Sequence, residues 1–153
     1  MDETIKKIAD QLAAEKTVSR MERAFDEKKW DVLRSLLTDS VEVDIGIFSG
    51  KEIIVLDGDV FCAGMEERNG PDKTVFHSRS NVITDVDGDR ATVSATNYAQ
   101  IYCAKVEPSL YEVWGVMTYK LSHTEKGWLV SGVRQEKWRE AGNLSLPDYR
   151  AEQ

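Results

Sequence analysis

Residues 74–103 read TVFHSRSNVITDVDGDRATVSATNYAQIYC. This stretch decides the fold. Thr74 to Val86 is one long strand candidate, and Arg90 to Cys103 returns with Ala91, Val93, Ala95, Ala99 and Ile101 on one face. Between them Asp87-Gly88 predicts a tight two-residue hairpin turn, because such a turn wants positive φ at its centre. Downstream, Lys105 to Ser109 reads as a loop. Tyr111 to Ser122 is the next strand, Glu125-Lys126-Gly127 turns the chain, and Trp128 to Trp138 comes back. The polar tail from Arg139, with Gly142 and Pro147, is expected to be extended.

Upstream the period changes to that of helices. Ile5, Ile8, Ala9 and Leu12 fall on one face, and Val18, Met21 and Phe25 continue the stripe after a change of phase near Lys16-Thr17. A second short helix is expected from Lys29 to Leu37. Val41, Val43, Ile45 and Ile47 then alternate as in a strand, which Ser49-Gly50 breaks. Residues 53–68 are ambiguous, with a short helix around Val60, Phe61, Gly64 and Met65 ended by Asn69-Gly70-Pro71. Helices first and consecutive strands after imply an α+β fold of one domain over residues 1–153, with its core at about 5–138 and a tail at 139–153. The expectation is a single strongly curved antiparallel sheet with helices on one side, enclosing a cavity of the kind that holds small ligands.

Composition narrows the partners. The 153 residues carry 27 Asp+Glu against 20 Lys+Arg, a formal net charge of -7. That excludes the basic footprint of a nucleic-acid binder and disfavours an anionic membrane surface. The longest aliphatic run, Ile53-Ile54-Val55-Leu56, is far too short to span a membrane, and no signal-peptide stretch follows Met1, so a cytoplasmic location is expected. Cys62 and Cys103 have no paired spacing and read as buried free thiols.

Several motifs fail on inspection. Gly46-Ile47-Phe48-Ser49-Gly50-Lys51 is one residue short of a phosphate loop, and Glu52 replaces its hydroxyl. Asp85-Val86-Asp87-Gly88-Asp89 opens like a calcium loop, but its glycine stands at the fourth position instead of the sixth. With two histidines and two scattered cysteines, no metal site is expected, nor any organic cofactor.

Three residues stand out as chemistry. His123 lies at a hairpin end and reads as surface, whereas His77 sits inside a strand, on one face with Val75, Arg79 and Asn81. It is either a polar or hydrogen-bonded structural residue or a base. Asp26, near the C-terminal end of the first helix, faces the unfavourable end of the helix dipole, so it is either a solvated acid or an acid with another task. Asn97 interrupts an apolar face and needs either a structural partner or a wet cavity.

Taken together, Ala24-Phe25-Asp26, Trp30-Asp31, Val41-Glu42-Val43-Asp44, Phe76-His77-Ser78-Arg79-Ser80-Asn81, Asp87-Gly88-Asp89-Arg90-Ala91, Trp114-Gly115-Val116-Met117-Thr118-Tyr119 and Gly127-Trp128 resemble the SnoaL-like branch of the nuclear transport factor 2-like superfamily. The resemblance runs to about Trp138 and implies an α+β cone with an apolar pocket at its mouth. Phe25-Asp26-Glu27-Lys28-Lys29-Trp30-Asp31 is similar to the scytalone dehydratase branch, where the residues matching Asp26 and His77 form a catalytic dyad; hexachlorocyclohexane dehydrochlorinase uses a similar pair. The implied activity is that of a lyase or isomerase (a dehydratase or cyclase) acting by His77 as general base on a small apolar carbonyl compound. Phe25, Ile45, Asn97 and Ile101 would line the pocket, with Asn97 placed to donate a hydrogen bond to the substrate. Phe25 and Ile45 stand where the dehydratase has tyrosines, and Ile101 stands at about its second histidine, which argues against the same hydroxylated aromatic substrate. The resemblance also implies a homodimer. The competing expectation is a non-catalytic ligand-binding or assembly module in which Asp26 and His77 are a structural pair.

Overall fold

The computed structural model describes residues 2–45 and 52–151. The failed phosphate-loop motif, Ile47 and the Ser49-Gly50 strand break lie outside them. The chain begins with α1 (Glu3–Asp26), α2 (Trp30–Ser35), β1 (Leu37–Asp44), β2 (Ile54–Asp57) and α3 (Gly58–Arg68). It continues with β3 (Thr74–Asp87), β4 (Arg90–Tyr102), β5 (Leu110–Thr124) and β6 (Gly127–Gly142), and ends in a 3-10 turn at Leu146–Asp148. The ambiguous stretch after Ile53 is thus a short strand followed by a helix.

The strands form one six-stranded sheet in the order β2-β1-β6-β5-β4-β3. This corrects the expectation of a strongly curved, cone-shaped antiparallel sheet. The sheet is open, with β2 and β3 as free edges, and it is mixed, because β1 runs parallel to β6. The reason is local. Short turns dictate antiparallel pairing only for the hairpins from β3 to β6. β1 reaches β6 from the far end of the sequence, so no turn dictates its direction.

The β3–β4 turn also differs in detail. Asp87 pairs with Arg90, so Gly88 and Asp89 form the turn, and of the two only Gly88 has positive φ, at 58°. Asn81 leaves the face of Val75, His77 and Arg79, because the register shifts between Ser80 and Ile83 and Asn81 adopts φ 51°. β6 runs past Trp138 to Gly142, pairing Arg139 with Trp114 and Gly142 with Tyr111. The tail is therefore not simply extended, and Leu146 is fully buried against Ala99, Cys103, Tyr111 and Val113.

α1 is one continuous helix, started by Asp2, whose side chain accepts the Thr4 N–H. It buries Ala14, Thr17, Val18, Met21 and Ala24, at spacings of three and four, against β3, β4 and β6. The earlier stripe does not face the core: Ile5, Ile8 and Leu12 are exposed. Periodicity marks a face without saying what the face meets. At the C-terminal end Lys28 takes φ 57°, and the Lys29 N–H reaches back to the Ala24 carbonyl, a left-handed stop that fixes the last turn. Lys28 Nζ in turn donates to the Lys73 carbonyl at 2.5 Å, tying this helix end to the start of β3. Both cysteines are free and buried, and no described helix is long and apolar enough to cross a membrane.

Candidate functional site

The last turn of α1 lies against the first residues of edge strand β3. There Asp26 accepts two hydrogen bonds from one residue: the His77 main-chain N–H at 3.1 Å and the His77 ring at Nδ1, 2.5 Å away. The first satisfies an N–H on a free sheet edge. The second fixes the imidazole. An ionised carboxylate only accepts, so Nδ1 carries the proton, and the lone pair of the neutral ring resides on Nε2. Phe25 packs its ring edge-on against His77, with centroids 5.2 Å apart, and meets Trp30 on another side at 5.6 Å.

One turn earlier on α1 the pattern repeats. Glu22 takes the Arg79 Nε at 2.6 Å on one oxygen and the Tyr119 hydroxyl at 2.6 Å on the other. The match is geometric. Four residues of helix rise about 6 Å and two residues of strand about 6.6 Å, so Glu22 and Asp26 stand opposite Arg79 and His77 as two rungs. Burial and Glu22 hold the Tyr119 phenol well above its ordinary pKa, so it stays a neutral donor. Sequence reasoning passed over Glu22 and Tyr119 and assigned Arg79 no role. The legible signal was the pairing of an i, i+4 acid pair with an i, i+2 basic pair.

Beside His77 a cavity of about 160 Å³ opens where the two hydrophobic clusters meet. Phe25, Ile45, Asn97 and Ile101, the four residues expected to line a pocket, all line it, as does His77; Asp26 stands behind His77. Its walls are mainly apolar, with Met21, Leu33, Phe61 and Met117 among them. Asn97 is 4% exposed, and its Oδ1 has no hydrogen-bond partner, so of its two expected settings it has the cavity and lacks the structural partner.

The charged groups around the cavity are matched. Arg68 pairs with Asp148, and Lys137 with Glu140 at 2.8 Å. Glu140 also accepts the Tyr111 hydroxyl at 2.5 Å, and burial raises the Tyr111 pKa. Near the same rim Lys73 is 3% exposed and donates to the Arg68 and Pro147 carbonyls; burial, with Arg150 and Arg68 nearby, lowers its pKa to about 8. Among the described residues no three His, Cys, Asp or Glu side chains converge as metal ligands. His123 is exposed at its hairpin, ring to ring with Trp128.

The model of the SnoaL-like domain matches residues 6–134. Among solved structures, the Kfla4162 protein of Kribbella flavida is 21% identical, with a TM-score of 0.84 over 92% of this chain and 98% of its own. A candidate scytalone dehydratase from Novosphingobium aromaticivorans is 16% identical, with a TM-score of 0.77 over 97% and 93%. A type 3 hexachlorocyclohexane dehydrochlorinase from Novosphingobium barchaimii is 12% identical, with a TM-score of 0.73 over 92% and 94%. At these identities the likeness is one of fold. No curated protein matches the chain's sequence.

Proposed function

Given that the chain belongs to the SnoaL-like domain family, we propose that it is a lyase or isomerase that removes a proton next to a carbonyl without a cofactor, with His77 as base. The observation that carries this reading is the 2.5 Å contact between Asp26 and His77 Nδ1 beside an apolar cavity. Asp26 holds the tautomer and stabilises the imidazolium once Nε2 has taken the proton. The electron pair left on carbon moves to the carbonyl oxygen as an enolate. Where the substrate carries a β,γ double bond the enolate is conjugated, and return of the proton at the γ-carbon gives isomerisation; where it carries a β-substituent, loss of that group with its electron pair gives elimination. Oriented general-base catalysis of this kind is worth ~10²–10⁴-fold. The family's dehydratases and dehydrochlorinases support this reaction class.

The surroundings bear on the substrate. Both tyrosine hydroxyls at the cavity are committed, Tyr119 to Glu22 and Tyr111 to Glu140, so neither is free to polarise a carbonyl. The substrate is therefore already acidic at carbon. With Arg68 and Lys137 each paired to a carboxylate, nothing among the described residues of the wall favours an anion, and the substrate is small and neutral. The chain works as a homodimer through the outer sheet face, where Tyr98, Trp114 and Arg139 stack; sedimentation velocity tests this.

The reaction is tested with a panel of small cyclic and aryl ketones and 1,3-diketones in D2O, followed by NMR for deuterium at the α-carbon. Exchange above buffer in wild type that His77→Ala abolishes is the expected result. Exchange that is absent, or equal in the variant, overturns the base assignment and leaves ligand binding without chemistry.

A further inference from the structure

Asn97 is the one cavity-lining residue among those described whose buried side chain retains an oxygen with no partner. A buried amide oxygen left without a donor is costly, and the fold usually supplies one. Here the neighbours withhold it. Directly across β4, Asn97 pairs with Arg79 on β3 and with Gly115 on β5. Arg79 directs Nε to Glu22 and Nη2 to Ser19 Oγ, its buried Nη1 has no partner and does not bond Asn97, and Gly115 has no side chain to give. We propose that Asn97 Oδ1 is a specificity-determining acceptor, so the substrate is a neutral, single-ring carbonyl compound that carries its own hydroxyl or N–H donor. The inference rests on reading this cavity as the substrate site.

Two features sharpen it. A cavity of about 160 Å³ is close to the ~150 Å³ that accommodates benzene in an engineered apolar core, which sets the size at one ring with small substituents. Asn97 also lies one diagonal step from His77, because His77 pairs with Ala99 on the same face. Such neighbours are roughly 7–8 Å apart, so one small molecule reaches both. A hydroxyl held by Oδ1 fixes which carbon is presented to Nε2.

The test uses p-cresol and p-xylene, which differ by a hydroxyl in place of a methyl, with binding to the full chain measured by titration calorimetry or NMR. The ratio of p-cresol to p-xylene affinity is expected to fall roughly tenfold in Asn97→Leu and to hold within about twofold in Gly70→Ala, which lies outside the cavity and where a Cβ meets nothing within 4 Å. A ratio unchanged in Asn97→Leu, or one that falls equally in Gly70→Ala, overturns the assignment. So does a wild type that binds neither probe at millimolar concentration. A second measurement needs no variant: the Asn97 side-chain amide signal should move with p-cresol well beyond its movement with p-xylene, and equal movement counts against the proposal. Binding is read here without turnover, so its outcome is separate from that of the deuterium-exchange experiment.

Discussion

Asp26 holds His77 at two points, the main-chain N–H and the ring Nδ1, so a single carboxylate fixes both where the strand lies and which ring nitrogen is free. Asp26→Asn separates these tasks. The asparagine oxygen can still accept the main-chain N–H, but its amide donates to Nδ1 and moves the ring proton to Nε2. The fold should persist with a loss of about 1 kcal/mol. Proton abstraction should fall by ~10²-fold or more. Nitrogen-15 spectra of the imidazole read the tautomer directly; an unchanged Nδ1–H tautomer in the variant would rule out this role for Asp26.

The Glu22–Arg79 rung is buried, with both side chains close to one-tenth exposed. Glu22→Gln leaves an unmatched guanidinium in the interior and should cost about 3–5 kcal/mol in denaturant unfolding. Replacing the whole set by Glu22→Leu, Arg79→Met and Tyr119→Phe removes every polar group together. That triple variant should be more stable than Glu22→Gln alone, because no charge remains to be solvated. Equal losses in the two would mean that shape, and not desolvation, governs this region.

Lys73 gives a pH dependence with a definite sign. Its folded pKa is near 8, below the ordinary lysine value of 10.5, so between these limits the unfolded chain holds a proton that the folded chain has released. Stability from this group therefore rises as pH increases through that window and is lost again as pH falls to 8. Lys73→Met removes the effect. The stability of wild type minus that of the variant should grow from pH 7.5 to pH 9.5, and a constant difference would show that burial leaves the amine's titration unchanged.

How much of this was legible depended on how local the cause was. The β3–β4 hairpin is dictated by its own alternation and by Gly88, and it was read from the sequence, one residue off at the turn. The pocket residues Phe25, Ile45 and Ile101 came from the resemblance and Asn97 from its place on an apolar face, and the cavity brings all four together. The parallel entry of β1 was not legible, because nothing near Val41 in sequence records that it will pair with β6. The exposure of Ile5, Ile8 and Leu12 was not legible for the same reason: a helical period is a property of one element, and burial is a property of two. Glu22 and Tyr119 resembled an ordinary surface acid and an ordinary strand aromatic. Their meaning appears only when α1 and β5 are placed on either side of the cavity.

Gly115 links the sheet to the site. The β5–β6 register shifts between Trp114 and Gly115, and a Cβ added there would stand 1.9 Å from the Glu136 carbonyl oxygen. No rotation of a side chain relieves such a contact, since both partners are backbone. Gly115→Ala must therefore push β5 and β6 apart at a point directly opposite Asn97. It should destabilise the chain by about 1–3 kcal/mol or more. It should also shift the Asn97 side-chain amide signal in the absence of any ligand. Gly70→Ala is the control, because a Cβ there meets nothing within 4 Å. That variant should be neutral or slightly stabilising, through a less flexible unfolded chain. If the two variants melt together, the bulge yields freely and the cavity wall opposite Asn97 is not held by Gly115.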